Sequence, residues 1–325
     1  MRITTLSLVA VLFMAINGYS RAGDNSELKL KINENILKFP KNPCDLCGCY
    51  MGLDLESRSQ AGIRYRLRTF RNEAHSNHAE NNTTDHSGHT ESSSNSIETY
   101  NTFELYAKYY VTKALQVSLT LPYSNNNIDG GNYKGAGDMT AIVKYNLLKN
   151  NDNRNSISKL YIGAGVKLPT GRFRLPSSDG VVEPHFQSGT GSTDFIFSGS
   201  FYASNGKLGI DLDNVLRLNT ANRDKYHFAN RLNTAMSVFY NITPSALVNL
   251  IPIFGFYLET AGNDTSKDET VTDSGGTVMF LSAGGNIKLN RVTMAIDIQK
   301  PVFEDLNGNQ ISNDIRLSVS TGYIF

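Results

Sequence analysis

From Leu115 to Leu121 apolar and polar residues alternate without a break: Leu115, Val117, Leu119 and Leu121 hold one parity, and Gln116, Ser118 and Thr120 the other. The same pattern runs through Val292, Met294, Ile296 and Ile298, separated by Thr293, Ala295, Asp297 and Gln299. It returns as Ile315, Leu317, Val319, Thr321, Tyr323 and Phe325, separated by Arg316, Ser318, Ser320, Gly322 and Ile324. Successive side chains of a strand point to opposite faces, so each segment predicts a strand with one apolar face and one polar, small or charged face. The pattern predicts twelve strands, over 53–70, 98–111, 114–123, 138–148, 159–170, 193–203, 207–218, 229–241, 246–260, 276–288, 292–303 and 314–325. Most are longer than the ordinary strand of about five or six residues. They match the roughly nine to eleven residues that a tilted strand needs to cross a membrane.

A soluble β-sandwich also buries apolar faces, but it wants shorter strands, and its polar faces meet solvent rather than one another. The connections favour a barrel. Thr112-Lys113, Ser204 to Gly206, Thr243 to Ser245 and Asn290-Arg291 are tight, and the 149–158 link is longer and polar. The opposite side carries 71–97, 124–137, 171–192, 219–228, 261–275 and 304–313. Short turns on one side, long loops on the other and an even strand count define the bacterial outer-membrane arrangement. In hydrocarbon an open sheet edge would leave backbone amides unpaired, so the sheet must close. The fold class expected is therefore all-β: a transmembrane antiparallel barrel over 53–325, short turns in the periplasm, long loops outside, and Phe325 on the lipid face. The 16 Tyr, 16 Phe, 27 Gly and clustered Asn residues suit such a chain.

The N-terminus reads as an export signal over 1–22: a basic Met1-Arg2, an apolar run from Leu6 to Ile16, and a small-x-small site at Ser20-Arg21-Ala22. Residues 23–52 then form a short periplasmic segment. Removing Arg2 and Arg21 from the 31 basic residues leaves 29 against 30 acidic ones, so no basic field for nucleic acid exists.

With the polar faces turned inward, the lumen is charged. Arg64, Arg66 and Arg68 share one face of the first strand, and Glu104 and Lys108 one face of the second. Lys144, Lys167, Asp211, Asp213, Arg217, Glu259, Asp297 and Arg316 follow from later strands. On the lipid face each would cost a few kcal/mol. Inside they either brace the wall as ion pairs or line a narrow polar conduit; both readings stay open. No catalytic set is legible: only His185 and His227 lie outside the first long loop, so no chemical step is expected.

Two segments bear on family. One is Gly165-Val166-Lys167-Leu168-Pro169-Thr170-Gly171; the other is Ser188-Gly189-Thr190-Gly191-Ser192-Thr193-Asp194-Phe195. Together, over about 98–325, they resemble the outer-membrane transporter family of the "MetA-pathway of phenol degradation" type. That family usually carries Trp or Tyr where Thr193 stands here. The resemblance implies a barrel and a role in passing small solutes. Independently of it, Pro169 and Gly171 end a strand, and Gly189 and Gly191 allow a tight path that turns the third loop inward.

All three cysteines lie in Cys44-Asp45-Leu46-Cys47-Gly48-Cys49, just before the first strand. Three thiolates at this spacing suit Cu(I); zinc would want a fourth ligand such as Asp45 or Asp54. A disulfide or redox pair with one thiol left over, and attachment to a partner, are the alternatives. The first long loop holds His75, His78, His86 and His89, ligand types for Cu(II) or Zn(II), or simply a solvated polar loop. The function expected is an outer-membrane channel or transporter for a small solute, with a transition-metal ion such as copper as a candidate. Its partners would be the lipid bilayer, the solute or metal ion, and a periplasmic metal carrier or envelope protein. The alternative is a non-transporting barrel scaffold in an envelope complex, with the cysteine segment as partner or redox site.

Overall fold

The computed structural model describes residues 58–71, 97–128, 131–148, 156–177, 180–181 and 183–325. The expected export signal, the 23–52 segment with its cysteines, the 53–57 start of the first expected strand and the histidine-bearing stretch lie outside these residues.

Twelve strands form the wall. They are β1 (Gln60–Arg71), β2 (Ile97–Tyr110), β3 (Leu115–Ile128), β4 (Met139–Asn146), β5 (Ser156–Leu168) and β6 (Asp194–Asn205). The second half comprises β7 (Leu208–Leu218), β8 (Arg231–Tyr240), β9 (Val248–Ala261), β10 (Gly276–Leu289), β11 (Val292–Leu306) and β12 (Ser312–Ile324). Each pairs antiparallel with its neighbours in sequence. The ring closes where β12 pairs with β1, Arg64 opposite Ser320 and Arg66 opposite Ser318. The backbone nitrogen of Phe325 donates to the Ser59 carbonyl at 3.0 Å and extends that seam. Closure leaves no open edge along the wall, which is what a sheet in lipid requires.

One parity of each strand faces outward and is apolar. Ile63, Leu105 and Leu121 stand at one level on three adjacent strands, and Leu105 is 59% exposed. A continuous belt of this kind, carried on around the ring by Val143, Ile162, Phe197, Met236, Phe254, Ile296 and Val319, is a surface for lipid rather than water. Tyr109, Tyr145, Tyr240, Tyr323 and Phe325 are exposed at the turn end, where amphipathic rings sit at the membrane boundary.

The strands outrun the expected spans at the loop end. The 124–137 connection, expected as a loop, is largely β-structure: β3 continues to Ile128 and pairs with Gly131–Ala136. Apolar alternation could not disclose this extension, because Ser124 to Asn127 are all polar and only Ile128, at its end, joins an apolar cluster. Asn132 instead donates its side-chain amide to Asn125 and Asn127 at 2.9 and 2.6 Å. Likewise β11 runs on to Leu306, inside the 304–313 connection. Within the other long connections, Tyr226–His227, Thr265–Ser266 and Glu269–Thr270 form a small sheet that ties two loops together.

Candidate functional site: the lumen and its mouth

The register sets the geometry of the interior. Arg64 lies opposite Glu104, and Glu104 holds both Arg64, at 3.4 Å, and Arg66. Arg68 lies over the Tyr100 ring at 5.2 Å and Lys108 over Tyr110 at 5.4 Å. Lys144 donates to Ser200 at 3.0 Å. Asp211 and Asp213 line a cavity toward the turn end together with Lys108 and Lys144. Arg316 pairs with Glu259 at 2.8 Å and stacks on Phe280 at 3.9 Å. Asp297 accepts from Ser282 at 2.5 Å and from Gln299 at 2.9 Å. Arg217 stands beside Arg231 on the next strand, near the loop end. The same parity also turns buried Glu98, Lys159, Asp194 and Arg231 inward. Those four were within reach of sequence reading, because Glu98 shares its parity with Glu104 and Lys159 with Lys167.

The mouth is built by the connection between β5 and β6. Lys167, near the end of β5, bonds Asp194 and Thr190 and lies 3.4 Å from Asp138. Asp138 in turn accepts from the backbone nitrogen of Gly171 at 2.9 Å, and from the nitrogen and hydroxyl of Thr190 at 2.8 and 2.7 Å. At this knot Gly171 and Gly189 touch backbone to backbone; a Cβ built on Gly189 would lie 2.6 Å from the Gly171 carbonyl carbon. The close approach requires glycine at both positions.

Held at both ends, the connection reaches across the opening. Its short 3-10 helix, Pro184–Phe186, inserts Phe186 among Phe70, Tyr100, Ile128 and Ile311. One residue earlier, His185 turns the other way. Its Nε2 lies 2.6 Å from Asp264 Oδ2 and 3.1 Å from the Tyr226 hydroxyl, and Tyr226 donates to the same carboxylate oxygen at 2.7 Å. The Ala229 nitrogen completes the Asp264 site at 2.7 Å. Burial alone would lower the pKa of His185; the hydrogen bond and charge of Asp264, with Glu183, overcome it and raise it. Burial also acts against the Asp264 carboxylate, yet His185, Arg231 and the Ala229 amide hold it well below the usual carboxylate range. Burial and the neighbouring Asp264 carboxylate push Tyr226 far above an ordinary tyrosine. No local signal could have disclosed this cluster, because three loops bring it together.

Under the loop lies a chamber of about 100 Å³; a cavity of about 80 Å³ lies toward the turn end, and one of about 50 Å³ shares Arg66 and Arg68 with the chamber. Arg66, Glu104 and Lys167 border the first, Arg64 and Asp213 the second, and Glu259, Asp297 and Arg316 the third. Among the described residues no group of three His, Cys, Asp or Glu side chains is placed to hold a metal ion. Cys44, Cys47, Cys49, His75, His78, His86 and His89 lie outside them.

A closed twelve-stranded ring with an apolar belt and a charged interior is a membrane-spanning β-barrel of the bacterial outer-membrane type. The solved structures of similar fold are of this class. An outer membrane channel from Pseudomonas putida F1 superposes with a TM-score of 0.62 at 15% identity, covering 86% of this chain and all of that one. The NanC porin gives 0.46 at 10% identity, covering 81% of this chain and all of the porin. No family model and no curated relative matches the chain.

Proposed function

We propose that the chain is an outer-membrane channel that passes a small polar or charged solute, akin to the phenol-degradation-type transporters that its two Gly-rich motifs resemble. The observation that carries this reading is the series of cavities from loop end to turn end, bordered throughout by charged side chains of both signs. Charge inside a wall surrounded by lipid is retained most readily where water or a polar solute reaches it. Passage follows the solute gradient, or a partner's affinity on the periplasmic side, and needs no chemical step.

The finer form of the proposal makes a transition-metal ion a candidate cargo, copper before zinc. The clustering of His75, His78, His86 and His89 in the connection after β1, and of Cys44, Cys47 and Cys49 ahead of it, supports this form. Histidines would collect the ion outside; thiolates would receive it or pass it to a periplasmic carrier. Metal content of purified protein, and cell-associated copper and zinc after replacing the three cysteines by serine, test it. Unchanged values would end the metal role.

A second reading, a scaffold that transports nothing, draws on one observation: Phe186 packs across the mouth among four buried apolar residues. Single-channel recording separates the two. Discrete conductance steps support the channel, and their absence supports the scaffold.

A further inference from the structure

The cavity toward the turn end departs from the rest of the lumen in how its charges are held. Three buried carboxylates of the wall are joined to cations: Glu104 to Arg64 and Arg66, Asp194 to Lys167, and Glu259 to Arg316. Asp297 accepts from Ser282 and Gln299. Asp213, on the inward parity of β7, has no hydrogen-bond or ionic partner among the described residues. Lys144 borders the same cavity and does not pair with it; its polar partner is Ser200, at 3.0 Å.

The register places these two charges side by side. Lys144 on β4 faces Gly163 on β5, and the lysine stem passes over that glycine, where a built Cβ would lie 2.8 Å from Lys144 Cγ. Its ammonium thereby arrives at Ser200 on β6, and Ser200 faces Asp213 on β7. Directly opposite residues have Cβ atoms about 4.5–5.5 Å apart, so the ammonium and the carboxylate border one small space without closing it. On the other flank of Lys144, Gln116 of β3 faces it. Gln116 is 4% exposed and borders the same cavity, and its amide has no hydrogen-bond partner among the described residues. Buried polar side chains in native proteins are nearly always satisfied. The other charged groups at this cavity are engaged: Arg64 by Glu104, Lys108 over the Tyr110 ring, and Asp211 as well. What the cavity offers its contents is one cation, one anion and one amide.

We propose that this cavity is a binding subsite for a small zwitterion, an α-amino acid with a short uncharged side chain. Its carboxylate meets Lys144 and the Gln116 amide, and its ammonium meets Asp213. Charge-assisted hydrogen bonds of both signs then form at once, in a lumen where charges act more strongly than in bulk water. A simple anion answers Lys144 and is opposed by Asp213; a simple cation meets the reverse. At about 80 Å³ the cavity exceeds the roughly 10–15 Å³ that one water requires.

The site takes its meaning from the channel reading, but its binding is measured separately. Alanine binding to the full-length protein in detergent is followed by calorimetry and saturation-transfer NMR. The probes are propionate, which lacks the ammonium, and ethylammonium, which lacks the carboxylate. Saturable binding of alanine is expected, with each probe about tenfold weaker or more. Asp213→Asn should weaken alanine about tenfold and, with the opposing charge gone, strengthen propionate until it binds as well as alanine. Lys144→Gln should do the same for ethylammonium. A gained ligand cannot come from a misfolded barrel, and the parent's ranking of the three molecules stands whatever a variant does. Absence of alanine binding, equal binding of either probe to the parent, or an unchanged ranking in a folded variant of either kind would overturn the subsite. A barrel that conducts ions yet binds no alanine loses the subsite and keeps the channel. One that binds alanine without conducting keeps the subsite and loses the channel.

Discussion

Asp138 Oδ2 accepts hydrogen bonds from both the backbone nitrogen and the hydroxyl of Thr190, 52 positions further along the chain. Through this pair the start of β4 carries the far end of the mouth loop, and Lys167 binds both residues. Asp138→Ala removes the acceptor for Gly171 and Thr190 together. Hydrogen bonds to a charged group contribute about 1.5–3 kcal/mol each, so the loop should lose its seat while the wall survives. The expected outcome is larger or noisier single-channel conductance, and protease cleavage within 171–192, in a barrel that still shows heat-dependent gel mobility. Parental conductance and an uncut loop would remove this anchoring role.

The second tie of the same loop depends on pH. His185 has a raised pKa, so the stability it contributes is fully present below the ordinary histidine value and is lost as pH rises through the raised one. Asp264 has a lowered pKa, so its contribution is present above the usual carboxylate range and is lost as pH falls through the depressed value. The latch is therefore firmest in mildly acidic solution and loosens on the alkaline side. Tyr226, Glu183 and Arg231 face the pair, and none of them reverses these directions. Conductance recorded from roughly pH 5 to pH 9 should rise with pH, and His185→Gln should flatten the profile. A profile that stays steep in that variant assigns the titration to another group.

Arg316 and Glu259 test whether the lumen is braced as well as charged. They pair at 2.8 Å, both nearly inaccessible, and Arg316 also covers Phe280. Removing one partner strands the other: Arg316→Met should cost about 3–5 kcal/mol in urea titrations of folding into lipid vesicles. The double variant Arg316→Met with Glu259→Gln should recover most of that loss, because no uncompensated carboxylate remains. Additive losses would mean that the pair does not act as a unit.

The fold was legible because a lipid-facing strand must alternate. Ile63, Leu105 and Leu121 announce the belt one strand at a time, and the strand count follows without any long-range information. That same parity decides which face Arg64 or Lys159 takes. It cannot say that Glu104 will hold two arginines, because that depends on register between strands. The mouth was less legible still. Gly171 and Gly189 mark tight turns locally, but their contact, and the meeting of His185 with Asp264 79 positions away, depend on loops whose paths follow no period. The β3 extension was invisible for a related reason: Ser124 to Asn127 are all polar, so the buried parity of Asn126 and Ile128 left no apolar alternation to read.

The belt itself makes the most direct prediction. Leu105 and Glu104 are consecutive, yet one meets lipid and the other is 3% exposed inside the ring. Leu105→Arg places a charge near mid-span on the outer face, where such a change costs about 2–4 kcal/mol. Tyr109→Arg, on the same face of β2 but at its turn end, should cost no more than about 1 kcal/mol, because the guanidinium reaches the headgroup boundary. Urea titration of both variants in vesicles measures the difference. A ranking with Leu105 the costlier position places the hydrocarbon midplane near the level of Ile63, Leu105 and Leu121. Equal costs would mean that those side chains do not face hydrocarbon, and the membrane-spanning reading of the ring would fail with them.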